Sequence, residues 1–139
     1  MARRSKKTGR WKIDTHEFYM ALHFAYQYRK WAEELEGLTD TSKAITYSDM
    51  PKGNINPDPT FDLVARRERL VRNVDLVERC AREAEPELYE YILAGVTNEG
   101  ITYDNLKALK GIPCGKDMYY DRRRKFYYLL SQRINTKEP

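Results

Sequence analysis

Residues 116–125 read KDMYYDRRRK. Three guanidinium groups (Arg122, Arg123, Arg124), two ammonium groups (Lys116, Lys125), two carboxylates (Asp117, Asp121) and the phenol of Tyr120 fall within about three helical turns. No nucleophile sits beside a base in this set, so its chemistry is hydrogen bonding and charge. Arg can take guanine O6 and N7 with two parallel bonds, and a carboxylate can accept from cytosine N4. Phosphates are held by Arg and Lys. On a helix starting at Lys116, the side chains of Lys116, Asp117, Tyr120, Asp121 and Arg124 suit base edges, and Arg122, Arg123 and Lys125 suit phosphates. Arg3 and Arg4, in the basic stretch 1–12, add groups that can track phosphates or enter a minor groove.

Such a helix needs a partner that aims it. Leu106 and Leu109 share a face of a short helix over 103–110, with Thr102 as its N-cap and both leucines facing the second helix. Gly111 lets the chain turn, Ile112 fills the gap between the helices, and Pro113 forbids helix at Ile112. The second helix spans 116–133, with Tyr119, Phe126, Leu129, Leu130 and the stem of Arg122 inward. Asp117, Tyr120, Asp121, Arg124 and Tyr128 face outward, and Lys116, Arg123 and Tyr127 lie on one flank. This is the layout of a helix-turn-helix. The plain alternative is a terminal amphipathic helix with a solvated basic face.

The remaining chain reads as an all-α body. Asp14 or Thr15 caps a helix over 14–36 that stops at Gly37, and Asp14 with Glu17 makes an approximate capping box. It carries two apolar stripes. Phe18, Leu22, Ala25 and Tyr26 lie on one side, and Met20, Phe24, Tyr28, Trp31 and Leu35 on the other are a candidate oligomer interface; the plain alternative is a central helix with partners on both sides within one small bundle. Pro and Gly clusters in 37–58 mark a long loop. Asp58 and Pro59 start a helix over 59–84, in which Leu63, Leu70, Val77 and Ala84 form a seam with Val74 and Ala81. The run at Arg66, Arg67 and Arg69 can touch phosphates, but on an amphipathic helix it reads first as a solvated face laced with ion pairs. A short helix over 87–94 has Leu88, Ile92 and Leu93 inward and Gly95 as its C-cap. The expected fold is a small helical bundle of about five helices. A flexible arm covers 1–12, a helical body with the loop at 37–58 covers 13–98, and the helix-turn-helix covers 99–139.

Charge is strongly polarised. Residues 1–12 hold six bases and no acid, 13–103 hold ten bases and seventeen acids, and 104–139 hold nine bases and four acids. The segment charges of +6, −7 and +5 give the net +4. Two basic ends around an acidic middle suit double-stranded DNA as partner. Trp11 is placed to anchor the arm to the body. Cys80 and Cys114 do not make a disulfide framework, which suits a reduced, cytoplasmic protein. No apolar run approaches a membrane span, and no apolar stretch follows the basic start as a secretory signal requires. His16 and His23 lack ligand spacing for a metal, and no phosphate loop or nucleophile elbow occurs. An enzyme, a metal and a cofactor are therefore not expected.

The stretch LKALKGIPCGKDMYYDRRRKFYYLLSQR resembles the C-terminal helix-turn-helix of phage-encoded late transcription regulators of the ArpU/RinA type, and more distantly region 4 of sigma factors. Leu106, Leu109, Gly111, Ile112, Tyr119, Phe126 and Leu130 fall on the apolar and turn positions of that pattern. The resemblance implies a promoter-binding regulator encoded by a phage or prophage and in contact with RNA polymerase; a homodimer is favoured separately, by the second apolar stripe on helix 14–36. Other readings of the same chain are a small terminase-like packaging subunit, which would assemble as a ring, and a protein inhibitor whose acidic body binds a basic target.

Overall fold

The computed structural model describes residues 10–47 and 58–135, and every regular element among them is helical. The helices are α1 (Thr15–Tyr26), α2 (Tyr28–Tyr47), α3 (Asp58–Ala84), α4 (Tyr89–Thr97), α5 (Tyr103–Lys110) and α6 (Lys116–Asn135). A 3-10 turn at Pro86–Leu88 leads into α4. The protein is an all-α helical bundle protein. No helix among the described residues is long and apolar enough to cross a membrane.

The chain divides into two compact units. Of the described residues, one joins 10–27 with 76–135; the other takes 28–47 and 58–75. In the first, α6 packs against α1, α4 and α5. Its core takes Phe18, Leu22 and Ala25 from α1, Val77, Cys80 and Ala81 from α3, Ile92 and Val96 from α4, Leu106 from α5, and Tyr119, Phe126, Tyr127 and Leu130 from α6. Aromatic rings meet edge to face, Phe18 with Tyr127 at 5.1 Å and Phe126 with Tyr127 at 5.2 Å between centroids. In the second unit Leu38 of α2 and Leu70 of α3 are buried.

Three expectations are corrected. The helix expected over 14–36 breaks at Gln27, whose backbone N–H donates to Phe24 O at 3.1 Å while its side-chain amide donates to His23 O at 3.3 Å. The side chain thus takes the carbonyl that the next helical bond would use, and the last turn tightens. Gly37 does not end a helix. It lies inside α2, which runs to Tyr47, so the loop expected from residue 37 is helical over its first eleven positions. A glycine inside a helix costs only about 1 kcal/mol relative to alanine, too little to stop a helix by itself. Gly95, expected as a C-cap, lies buried inside α4. A Cβ there would collide with the Tyr119 hydroxyl, so glycine is what lets α4 approach α6.

The α3 seam falls where the heptad spacing puts it. Leu70, Val77, Ala81 and Ala84 are buried, and Leu63 and Val74 are half-buried. Asp14 caps α1 by accepting from the His16 and Glu17 N–H groups at 2.9 and 3.2 Å.

Candidate nucleic-acid interface

The segment from Thr102 to α6 is fixed at both ends of its first helix. Thr102 and Asn105 form a capping box: Asn105 N–H donates to Thr102 Oγ1 at 3.2 Å, and Thr102 N–H donates to Asn105 Oδ1 at 2.9 Å. Gly111 closes α5 in the left-handed region, φ 65°, and its N–H donates to Lys107 O at 3.2 Å. Ile112 is buried between the helices, and the Tyr119 N–H donates to Gly115 O as α6 starts. Leu106 is buried, with its Cδ1 beside Gly95 of α4, but Leu109, expected to face α6, is 78% exposed.

Two tyrosines lock this turn: Tyr103, which the sequence did not single out, and Tyr120, which it put on the outer face. The Tyr103 hydroxyl donates to Cys114 O at 2.6 Å. The Tyr103 N–H donates to the Tyr120 hydroxyl oxygen at 3.2 Å. Tyr120, expected on the outer face, is therefore buried as a tie between α5 and α6, and it is withdrawn as a base-contacting group. Its signal was the aromatic pair Tyr119–Tyr120 itself, since two adjacent rings on a helix cover an arc wider than one apolar stripe.

The arginine run divides three ways. Arg122 donates to Glu85 Oε1 at 2.8 Å and also bonds Asp121. The hydrogen bond to Glu85 holds its guanidinium above the usual basicity, with Asp121 adding to it. Arg123 is 5% exposed, with the rings of Tyr120, Tyr127 and Tyr119 at 5.1, 5.8 and 6.0 Å. Burial opposes its charge, but the tyrosines around it outweigh that and keep it charged. Arg123 is thus corrected from a phosphate contact to a caged core cation. Arg124 is half-buried.

Lys125 is half-buried with its Nζ 5.2 Å from the Trp11 ring, over which Arg10 also lies at 5.1 Å. Trp11 rests against Tyr128, 5.8 Å between centroids, and Arg10 reaches Asp121 at 4.0 Å. The tryptophan does anchor the segment before α1, and it does so on the outer strip of α6. Lys116, Asp117 and Met118 remain exposed at the start of that helix, as do Lys107 and Lys110 on α5. Arg3 and Arg4 lie outside the described residues.

The five residues expected as one oligomer stripe are split by the break at Gln27. Met20 (exposed) and Phe24 (half-buried) sit on α1, whereas Tyr28, Trp31 and Leu35 (all half-buried) sit on α2 in the other unit. They are not one stripe of one helix.

Cys80 is buried beside Arg133, and burial pushes its thiol up to about 11. Among the described residues no group of His, Cys, Asp and Glu is placed to hold a metal. A surface hollow lined by Pro86, Glu87, Tyr89, Glu90 and Tyr91 carries carboxylates, the wrong sign for phosphate. On α3, Arg66, Arg67, Arg69 and Arg72 are all exposed, and none makes an ion pair among the described residues. The run at Arg66, Arg67 and Arg69 thus lacks the ion pairs expected of it, whereas Glu83 further along α3 is paired with Arg133. Compared with protein-family models, curated proteins and solved structures, the chain finds no match.

Proposed function

We propose that this chain binds double-stranded DNA as a sequence-specific transcription regulator. The observation that carries the reading is the α5–α6 junction. A capped short helix, a left-handed glycine, a buried Ile112 and a fixed start to α6 leave Lys116 and Asp117 exposed at the end of a rigid helix. In this reading the base-contacting set narrows to Lys116, Asp117 and Arg124. Lys107 and Lys110 hold phosphates from α5, and the basic residues 1–12 extend the contact from their anchor at Trp11. The specific form of the reading is a phage or prophage late-transcription regulator, cytoplasmic, acting as a homodimer and touching RNA polymerase. The phage origin and the contact with RNA polymerase are supported by the sequence likeness of the junction.

Selection from a pool of random 30-base-pair duplexes tests it. The chain is expected to enrich a short common sequence, and Lys116→Ala with Arg124→Ala is expected to relax that preference by about tenfold or more per contacted base. A selected pool indistinguishable from the input would sink sequence-specific binding.

A further inference from the structure

We propose that α3 carries a second DNA contact, in which Arg66, Arg69 and Arg72 grip the phosphates of a duplex. This rests on the DNA reading above and adds a surface on the unit that lacks α5 and α6.

Residues 66–72 contain four arginines and one glutamate, a net charge of +3 in seven positions. All four arginines are exposed. Carboxylates stand at helical reach: Asp62 four before Arg66, Glu68 four before Arg72, and Asp75 three after Arg72. Yet none of these arginines is ion-paired among the described residues. Four arginines elsewhere in the described residues are occupied. Arg82 covers Tyr89 at 4.3 Å, Arg122 holds Glu85, Arg123 is caged by tyrosines and Arg133 holds Glu83 at 2.5 Å.

The spacing makes a ridge. Steps of three residues rise about 4.5 Å and turn back about 60°, so the three guanidinium groups follow one side of α3 over about 9 Å. Like charges at this spacing repel, by a few tenths of a kcal/mol per pair, and an anion lying along the ridge relieves them. Each planar fork can take two oxygens of a phosphate.

Two further features identify the anion. Residues 62–72 contain no aromatic side chain, and single strands are held largely by stacking on such rings. The exposed Val64 and Val71 lie about 150° round the helix from the middle of the ridge, whereas a protein interface has an apolar centre with charge at its rim. A duplex backbone, charged and needing no stacking, fits best.

The test uses the full chain and a fluorescein-labelled 30-base-pair duplex of random sequence, with binding followed by anisotropy from 50 to 200 mM salt. Compared with the wild type, the variant Arg66→Gln/Arg69→Gln/Arg72→Gln should lower the log–log salt slope by about three and weaken binding about a hundredfold at 100 mM. The matching triple Arg→Lys variant, which keeps the charge, should retain the wild-type slope and shows whether a fall in the Gln variant comes from lost charge. An unchanged slope in the Gln variant, with a reduced slope in Lys107→Gln/Lys110→Gln, overturns the ridge and leaves the DNA reading standing. A Gln variant that changes the sedimenting mass but not the slope makes the ridge a protein interface and likewise overturns the proposal. A wild-type chain with no affinity for duplex at 50 mM salt overturns the DNA reading and the ridge with it.

Discussion

The basic runs at 122–125 in α6 and 66–72 in α3 look alike as sequence, and the fold treats them in opposite ways. In α6, Arg122 reaches across to Glu85, Arg123 sits inside a cage of three tyrosines, and Lys125 covers Trp11. In α3, four arginines are exposed and none is ion-paired with a carboxylate among the described residues. The run expected to bind is largely consumed by folding, and the run expected to be paired is left open. Cations that a fold needs are those its own tertiary neighbours can satisfy, because a buried charge without partners costs several kcal/mol. An exposed arginine carries no such requirement, so its charge remains available to a ligand.

Four measurements can break or sharpen this contrast. The largest effect should come from the cage. Arg123→Ala removes a long side chain from the core and should cost about 3 kcal/mol in chemical denaturation, whereas Arg69→Ala should stay within about 0.5 kcal/mol. Equal losses would erase the difference between the two runs. Arg123→Met sharpens it: wild-type stability in that variant would mean that the cage needs volume and not charge. Next, Gly95→Ala pushes on Tyr119, one wall of the cage, and should cost about 2 kcal/mol, read as a lower denaturation midpoint. A neutral effect would mean that the wall can move.

Smaller again, Trp11→Ala should cost about 1 kcal/mol by losing the ring contacts with Tyr128 and the two cations. It should also reduce the effect that deleting residues 1–10 has on DNA affinity. The smallest effect concerns Glu83, whose carboxyl is held below its ordinary value of 4.5 by the hydrogen bond from Arg133. A lowered folded-state value means stability present above the unfolded carboxylate range and lost as pH falls through the lowered value. The difference in Tm between wild type and Glu83→Gln should therefore shrink below about pH 4.5. Both side chains are partly exposed, so the contribution stays under about 1 kcal/mol. A difference that stays flat from pH 7 to pH 3 would remove the ion pair from the account.

Much of the α5–α6 junction was legible in advance, because its determinants are local. Thr102, Gly111, Ile112 and Pro113 act within a few residues of where they stand, through capping, a left-handed backbone and a forbidden helical conformation. The α3 seam was legible for a similar reason, since a seven-residue repeat needs no knowledge of the partner. Gln27 escaped notice because its side chain competes with its own backbone for one carbonyl, and no composition rule signals that. Gly95 misled because glycine serves both as a helix terminator and as room for a neighbour. Only the position of Tyr119 decides which.

By itself, then, the sequence determined an all-helical chain, the capped turn before Lys116 and the polarised charge, all of them properties of residues and their near neighbours. Only the tertiary structure decided which charges are spent. Arg123 and Arg66 are chemically the same group, and they part company because Phe18 of α1 and Gly95 of α4 pack against the tyrosines that flank the first on α6 and help bury it, while the second is exposed. Burial and partnership depend on what packs against a residue, and that information lies in the fold rather than in any stretch of the chain.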